Sequence, residues 1–170
     1  MSNNKRAIIV LVVLVGIGVV FAVQGLLRQA APAVPSATPQ PGMIHFYVDG
    51  VFVANVAPGD VTSLPQASFV DSEEGKTQEG PLVKDLVLLY MKESDLSPQS
   101  VIRVEGRRSS SGEAKQGSVT WEQAQNPDNH LLFDISSSGD SLKLVSTLPE
   151  MGTRDTWVQG VSRIEVTTKP

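Results

Sequence analysis

The sequence predicts an α+β domain, mainly β, behind one N-terminal transmembrane helix. Three observations lead there. Ala7–Val23 is a run of 17 residues without a polar side chain. Asp49-Gly50 divides the apolar stretch MIHFYVDGVFVANV, Met43–Val56, in the manner of a two-residue hairpin turn. Beyond it, one segment with helical spacing, Leu82 to Tyr90, stands among short apolar runs separated by polar, Gly- and Ser-containing turns.

Extending the first run through Leu27 gives 21 residues, about 31 Å of helix against a hydrocarbon core of about 30 Å. Lys5 and Arg6 precede it and Arg28 follows. The basic flank places residues 1–6 in the cytoplasm, the helix at 7–27, and the rest outside. The expectation is a single-pass protein of the cell membrane with an extracytoplasmic C-terminal domain. A cleaved signal peptide competes, with small residues at Ala31-Pro32-Ala33 and Ser36-Ala37. The apolar run is longer than the about 7–15 residues of a signal core. Gly18 and Ala22 form a small-xxx-small pair, a candidate contact with another membrane helix. Residues 28–42 carry prolines at 32, 35, 39 and 41 and read as a semi-rigid spacer, reaching roughly 40 Å at about 3.1 Å per residue. The domain is then 43–170.

That domain holds 11 Lys and Arg against 18 Asp and Glu, net −7. Such a balance speaks against nucleic acid as a partner and against docking onto anionic lipid, so the membrane contact expected is the helix 7–27. The chain has no cysteine, which removes disulfides, thiolate metal ligands, thiol nucleophiles and a cysteine-linked lipid together. An exported domain of this kind is held by its core alone.

In order, a type I′ turn at Asp49-Gly50 sets Val48 opposite Val51, Tyr47 opposite Phe52 and Phe46 opposite Val53. Both faces of that hairpin are apolar, which predicts cover on both sides. Pro58-Gly59-Asp60 turns the chain, with Asp60 as cap of a short turn at Val61–Leu64. Gln66–Asp71 reads as a strand and Ser72–Gly80 (SEEGKTQEG) as an acidic loop. Pro81 suits the first turn of a helix whose apolar face is Leu82, Leu86, Leu89 and Tyr90. Val101–Glu105 is a strand, RRSSSGEAKQG a solvated loop, and Thr120–Gln123 a capping box on a very short helix. His130–Ile135, Leu142–Ser146 and Val161–Thr167 complete the strands.

These segments, in this order, resemble the sulfite-oxidase type of molybdopterin-binding domain. The residues that carry the resemblance are Val61-Thr62-Ser63-Leu64-Pro65 before a strand, and Gly80-Pro81-Leu82-Val83-Lys84-Asp85-Leu86-Val87 at the helix start. Ser141–Ser146 and the closing Trp157-Val158-Gln159-Gly160-Val161-Ser162-Arg163-Ile164-Glu165-Val166 follow. The resemblance covers about 61–167 and implies a molybdopterin-binding-like fold. In catalytic members a cysteine ahead of the Gly-x-Pro-Leu helix gives its thiolate to molybdenum. The corresponding region here, Ser68–Glu79 (SFVDSEEGKTQE), has none, and oxygen ligands do not replace that soft donor. The resemblance thus implies the fold without the metal site: no catalytic residue, metal or cofactor is expected. Arg107, Arg108, Arg154 and Arg163 do not match pterin-binding positions one by one. Arg107, Arg108 and Arg154 stand as anion-site candidates.

Other chemistries find little. His45 and His130 lack zinc spacing, and Glu73, Glu74 and Glu79 lack the alternation of a calcium loop. No serine lies in a nucleophile elbow or a Ser-x-x-Lys pair. Trp121 and Trp157 are by default core residues; exposed, they would be partner-binding sites. The expectation is a non-enzyme, an accessory or assembly subunit acting through protein–protein contacts in a larger membrane complex, with a redox complex as one class. The alternative is a pterin-cofactor-binding oxidoreductase domain that retains electron or oxygen transfer. A soluble-ligand or cell-wall binding module would require a concave apolar pocket.

Overall fold

Asp49 (φ 49°) and Gly50 (φ 79°) both adopt positive φ, the requirement of a type I′ turn, and join β1 (Ile44–Val48) to β2 (Val51–Val56). A computed structural model describes residues 38–108 and 111–169. The expected cytoplasmic N-terminus 1–6, the expected membrane helix 7–27 with Gly18 and Ala22, and the expected spacer up to residue 37 lie outside the described residues. Among the described residues no helix is long and apolar enough to cross a membrane. The described part is mainly β with two short helices.

Val48 faces Val51 and Tyr47 faces Phe52 as the turn dictates, but the register then shifts, and Phe46 opposes Ala54 instead of Val53. The bulge has a physical reason. Without it Asn55 would sit opposite Ile44 on the core face. With it Ile44, Phe46, Ala54 and Val56 are buried together. Only one face of the hairpin is core. The other carries His45, Tyr47 and Phe52, half-buried, with the Arg163 guanidinium 3.8 Å from the Tyr47 ring centre.

The chain next makes a 3-10 turn at Pro58–Ser63, earlier than expected. Pro58 presets its φ at the first turn, so the turn nucleates there and Asp60 lies inside it, not at its cap. β3 (Gln66–Val70) follows. The expected acidic loop is shorter than predicted, because Thr77–Pro81 is itself a strand, β4, antiparallel to β3. Gly80 crosses the backbone of the later strand so closely that a Cβ there would stand 1.8 Å from the Phe133 carbonyl oxygen.

Helix α1 is Val83–Tyr90, with Leu82 as N-cap. Pro81 closes β4 and is not a first-turn residue. Leu82 forms a bridge with Leu132, and the Val83 N–H donates to Leu131 O at 3.0 Å, which holds the backbone extended up to that point. The buried stripe is Val83, Leu86 and Val87, with Tyr90 stacked 4.8 Å from Phe46. Leu89, expected on that stripe, points outward.

β5 (Val101–Arg107) pairs along its length with β6 (Ala114–Thr120), so both ends of RRSSSGEAKQG, Arg107 and Ala114–Gly117, are strand and not loop. The capping box is present: the Gln123 N–H donates to Thr120 Oγ1 at 3.2 Å and the Thr120 N–H to Gln123 Oε1 at 2.8 Å, opening α2 (Trp121–Gln125). β7 (Leu132–Ile135) and β8 (Leu142–Val145) form a hairpin. Last, β9 (Gln159–Thr167) enters between β1 and β5, parallel to the first and antiparallel to the second. The sheet reads β2-β1-β9-β5-β6, leaving β2 and β6 as its edges.

Candidate functional site

The acidic stretch 71–79 is internally satisfied. Asp71, buried, accepts from the Glu73 N–H (3.1 Å) and Glu74 N–H (2.7 Å) on one oxygen and from Gln78 Nε2 (3.0 Å) on the other. Gln78 in turn accepts from Lys143 Nζ at 2.8 Å. Lys143 pairs with Asp134 at 2.7 Å, and Asp134 accepts from the Glu79 N–H at 3.1 Å. Both ends of that pair are mostly shielded, so removing one partner would strand the other. Lys143 also lies 5.1 Å over Trp157.

Arg154 belongs to the same neighbourhood. Its guanidinium pairs with Glu74, and its backbone N–H donates to Glu73 Oε2 at 2.9 Å. Its charge is therefore met by carboxylate, an arrangement that disfavours an incoming anion. Arg107 and Arg108 stand exposed at the far end of the β5–β6 hairpin. Arg107 lines an open cleft of about 420 Å³ with His45, Asp140, Ser141, Gly160 and Ser162. In that wall the Ser138 and Ser136 hydroxyls hold the Asp140 carboxyl below the ordinary carboxylate range. Burial pushes the Lys115 ammonium down, and Arg108 adds to the effect.

Both tryptophans are core residues. Trp121 is 2% and Trp157 1% exposed, and the Trp157 indole donates to Met151 O at 2.9 Å. Neither presents a face to a partner. His45 Nε2 contacts Gln40 O at 2.9 Å, while His130 Nδ1 contacts Asp128 O at 3.0 Å. Among the described residues no three of His, Asp and Glu gather as a metal-ligating group.

The surface that sequence reasoning missed is apolar. Leu88 (39% exposed) and Leu89 (55%) close α1, and Val51 (67%) opens β2. Between helix and strand runs a groove of about 540 Å³ with Val48, Val53, Leu88, Leu89, Tyr90 and Met91 in its walls and Lys92 and Asp95 on its rim. Burial, with the Asp60 charge second, raises the Tyr90 hydroxyl pKa. Among the described residues β2 pairs with β1 alone, so one row of its backbone N–H and C=O groups faces no strand. The available signal was two successive leucines at a helix end, since one narrow stripe cannot take both. The chain matches no protein-family model and no curated protein.

Proposed function

We propose that this chain is a single-pass, membrane-anchored, extracytoplasmic accessory or assembly subunit of a larger membrane complex, with a redox assembly as the class in view. Its domain is of molybdopterin-binding-like, sulfite-oxidase-type fold and works by holding a neighbour. The observation that carries the reading is the β2 edge with its flanking groove, an uncharged strand bordered by exposed Val51, Leu88 and Leu89. The segment order and the mainly β architecture support the kinship.

The donor set of Ser68–Glu79 does not fit a thiolate-ligated metal. It offers oxygen only; Asp71 is occupied by three hydrogen bonds, and Glu73 and Glu74 are engaged by Arg154.

Purification of the full chain from its native membranes in mild detergent tests the proposal. The expected result is a complex with a defined neighbour, weakened by Val51→Lys or Leu89→Glu. Migration of the native chain as a lone monomer would count against it. Molybdenum or tungsten near one per chain would favour the oxidoreductase alternative.

A further inference from the structure

We infer that the occupant of the β2 edge is a second copy of this chain, paired antiparallel through β2 across a two-fold axis. The inference rests on the reading that this face is a docking surface, and it names what docks there.

The strand VFVANV, Val51–Val56, carries no charge and no proline. No charged or proline residue on it opposes another strand, although its bulge and the contacts of Asn55 with Thr38 and Gln40 crowd its far end. A strand set antiparallel to its own copy makes an isologous contact, in which each bond from one protomer is matched by the same bond returned. The axis of such a pair runs perpendicular to the sheet, so both α1 helices come to the same face of the joined sheet, beside the seam. There Leu88 and Leu89 of one copy meet the groove of the other, between α1 and Val48 and Val53.

The net charge of −7 on each domain repels a copy at long range, so charge at the contact itself must offset it. This rim bears one cation and one anion, Lys92 and Asp95, both exposed and neither in an ion pair among the described residues. A two-fold brings Lys92 of each copy toward Asp95 of the other, so the patch complements itself. Association also stops at two. The opposite edge, β6, carries Lys115, and Arg107 and Arg108 stand at the tip of its hairpin, which discourages a further strand.

The absence of cysteine allows a test without background. Full-length protein in its membrane, carrying a single Val51→Cys, Phe52→Cys, Val53→Cys or Asn55→Cys substitution, is oxidised and run on non-reducing gels. Facing residues of antiparallel strands lie about 4.5–5.5 Å apart, within disulfide reach. At least one of the four is expected to give mainly disulfide dimer. Gln116→Cys on β6, which shares the same anchor, is expected to stay monomeric. Val51→Lys is expected to weaken the dimer at least about tenfold while leaving the unfolding midpoint of dilute protein in place. No cross-link at any of the four positions, with a monomer mass by light scattering in detergent, overturns the inference. If such a monomer nevertheless loses a different protein on Val51→Lys, self-pairing falls and the accessory-subunit reading stands. If Val51→Lys alters neither, both fall.

Discussion

The two edges of the five-stranded sheet are built on opposite principles. β6 is backed from below, where Gly117 lies close over Leu144, Met151 and Val158, and it is guarded by Lys115, whose Nζ donates to the Asp155 carbonyl. β2 has no charge along it, with the end of α1 beside one part and Thr38 and Gln40 hydrogen-bonded to Asn55 at the other. Edge strands invite pairing unless something prevents it. The β6 side is therefore guarded by charge, and the β2 side is the edge on which the proposed docking rests.

The contrast can be broken most severely on the β6 side. Trp157→Ala removes the largest fully buried side chain, packed with Leu132 and Val145, and leaves Met151 O, whose residue lies under Gly117 of β6, without its donor. A loss of about 3–5 kcal/mol is expected, read from the denaturant midpoint at constant slope. Gly106→Ala should cost less, about 1–3 kcal/mol, because the new Cβ meets the Gln159 carbonyl oxygen at 2.4 Å and the β5–β9 seam must yield. Thr120→Ala at the end of β6 removes the capping box, for about 1 kcal/mol; Thr120→Ser should recover most of it in thermal melts.

The β2 side sharpens the comparison with smaller effects. Asp49 in the hairpin turn accepts from the Thr168 N–H (2.8 Å) and the Thr168 hydroxyl (2.7 Å), which hold its carboxyl below the ordinary range, the backbone bond most. A depressed folded pKa means the contribution is complete above the ordinary carboxylate range and is lost as pH falls through it toward the lower folded value. Asp49→Asn should flatten that acid limb, and amide exchange at Thr168 should become less pH-dependent. Smallest of all, Val51→Lys should shift monomer stability by no more than about 0.5 kcal/mol, since the side chain is already 67% exposed.

Local chemistry made part of this fold legible. Asp49-Gly50 and Thr120–Gln123 each encode their turn or cap within four residues, and both stand where the sequence places them. β4 (TQEGP) and β6 (AKQGSVT) did not read as strands. Most of their polar residues face water, buried Gln78 apart, and what makes them strands is a partner supplied by β3 and β5. The β2 bulge escaped for a related reason: turn geometry sets the first two pairs, and the need to bury Ala54 and Val56 sets the rest. Pro81 suggested a helix start, but the bridge from Leu82 to Leu132 keeps the chain extended there. At the site, arginines and tryptophans drew attention by residue type. Arg154 is met by Glu74 some 80 residues away, a pairing that no local pattern encodes.

Strand β9 occupies the space between β1 and β5, so the hairpin made first rests on a neighbour made last. The Asp49–Thr168 link spans 119 residues. At about 5–20 residues per second of synthesis, β1 waits on the order of ten seconds with its inner side unfilled. During that interval both sides of the β1–β2 ribbon are open to other strands, so nascent chains growing close together risk joining through the wrong one. Anything that shields β1 until β9 emerges would raise the yield of correctly closed sheets.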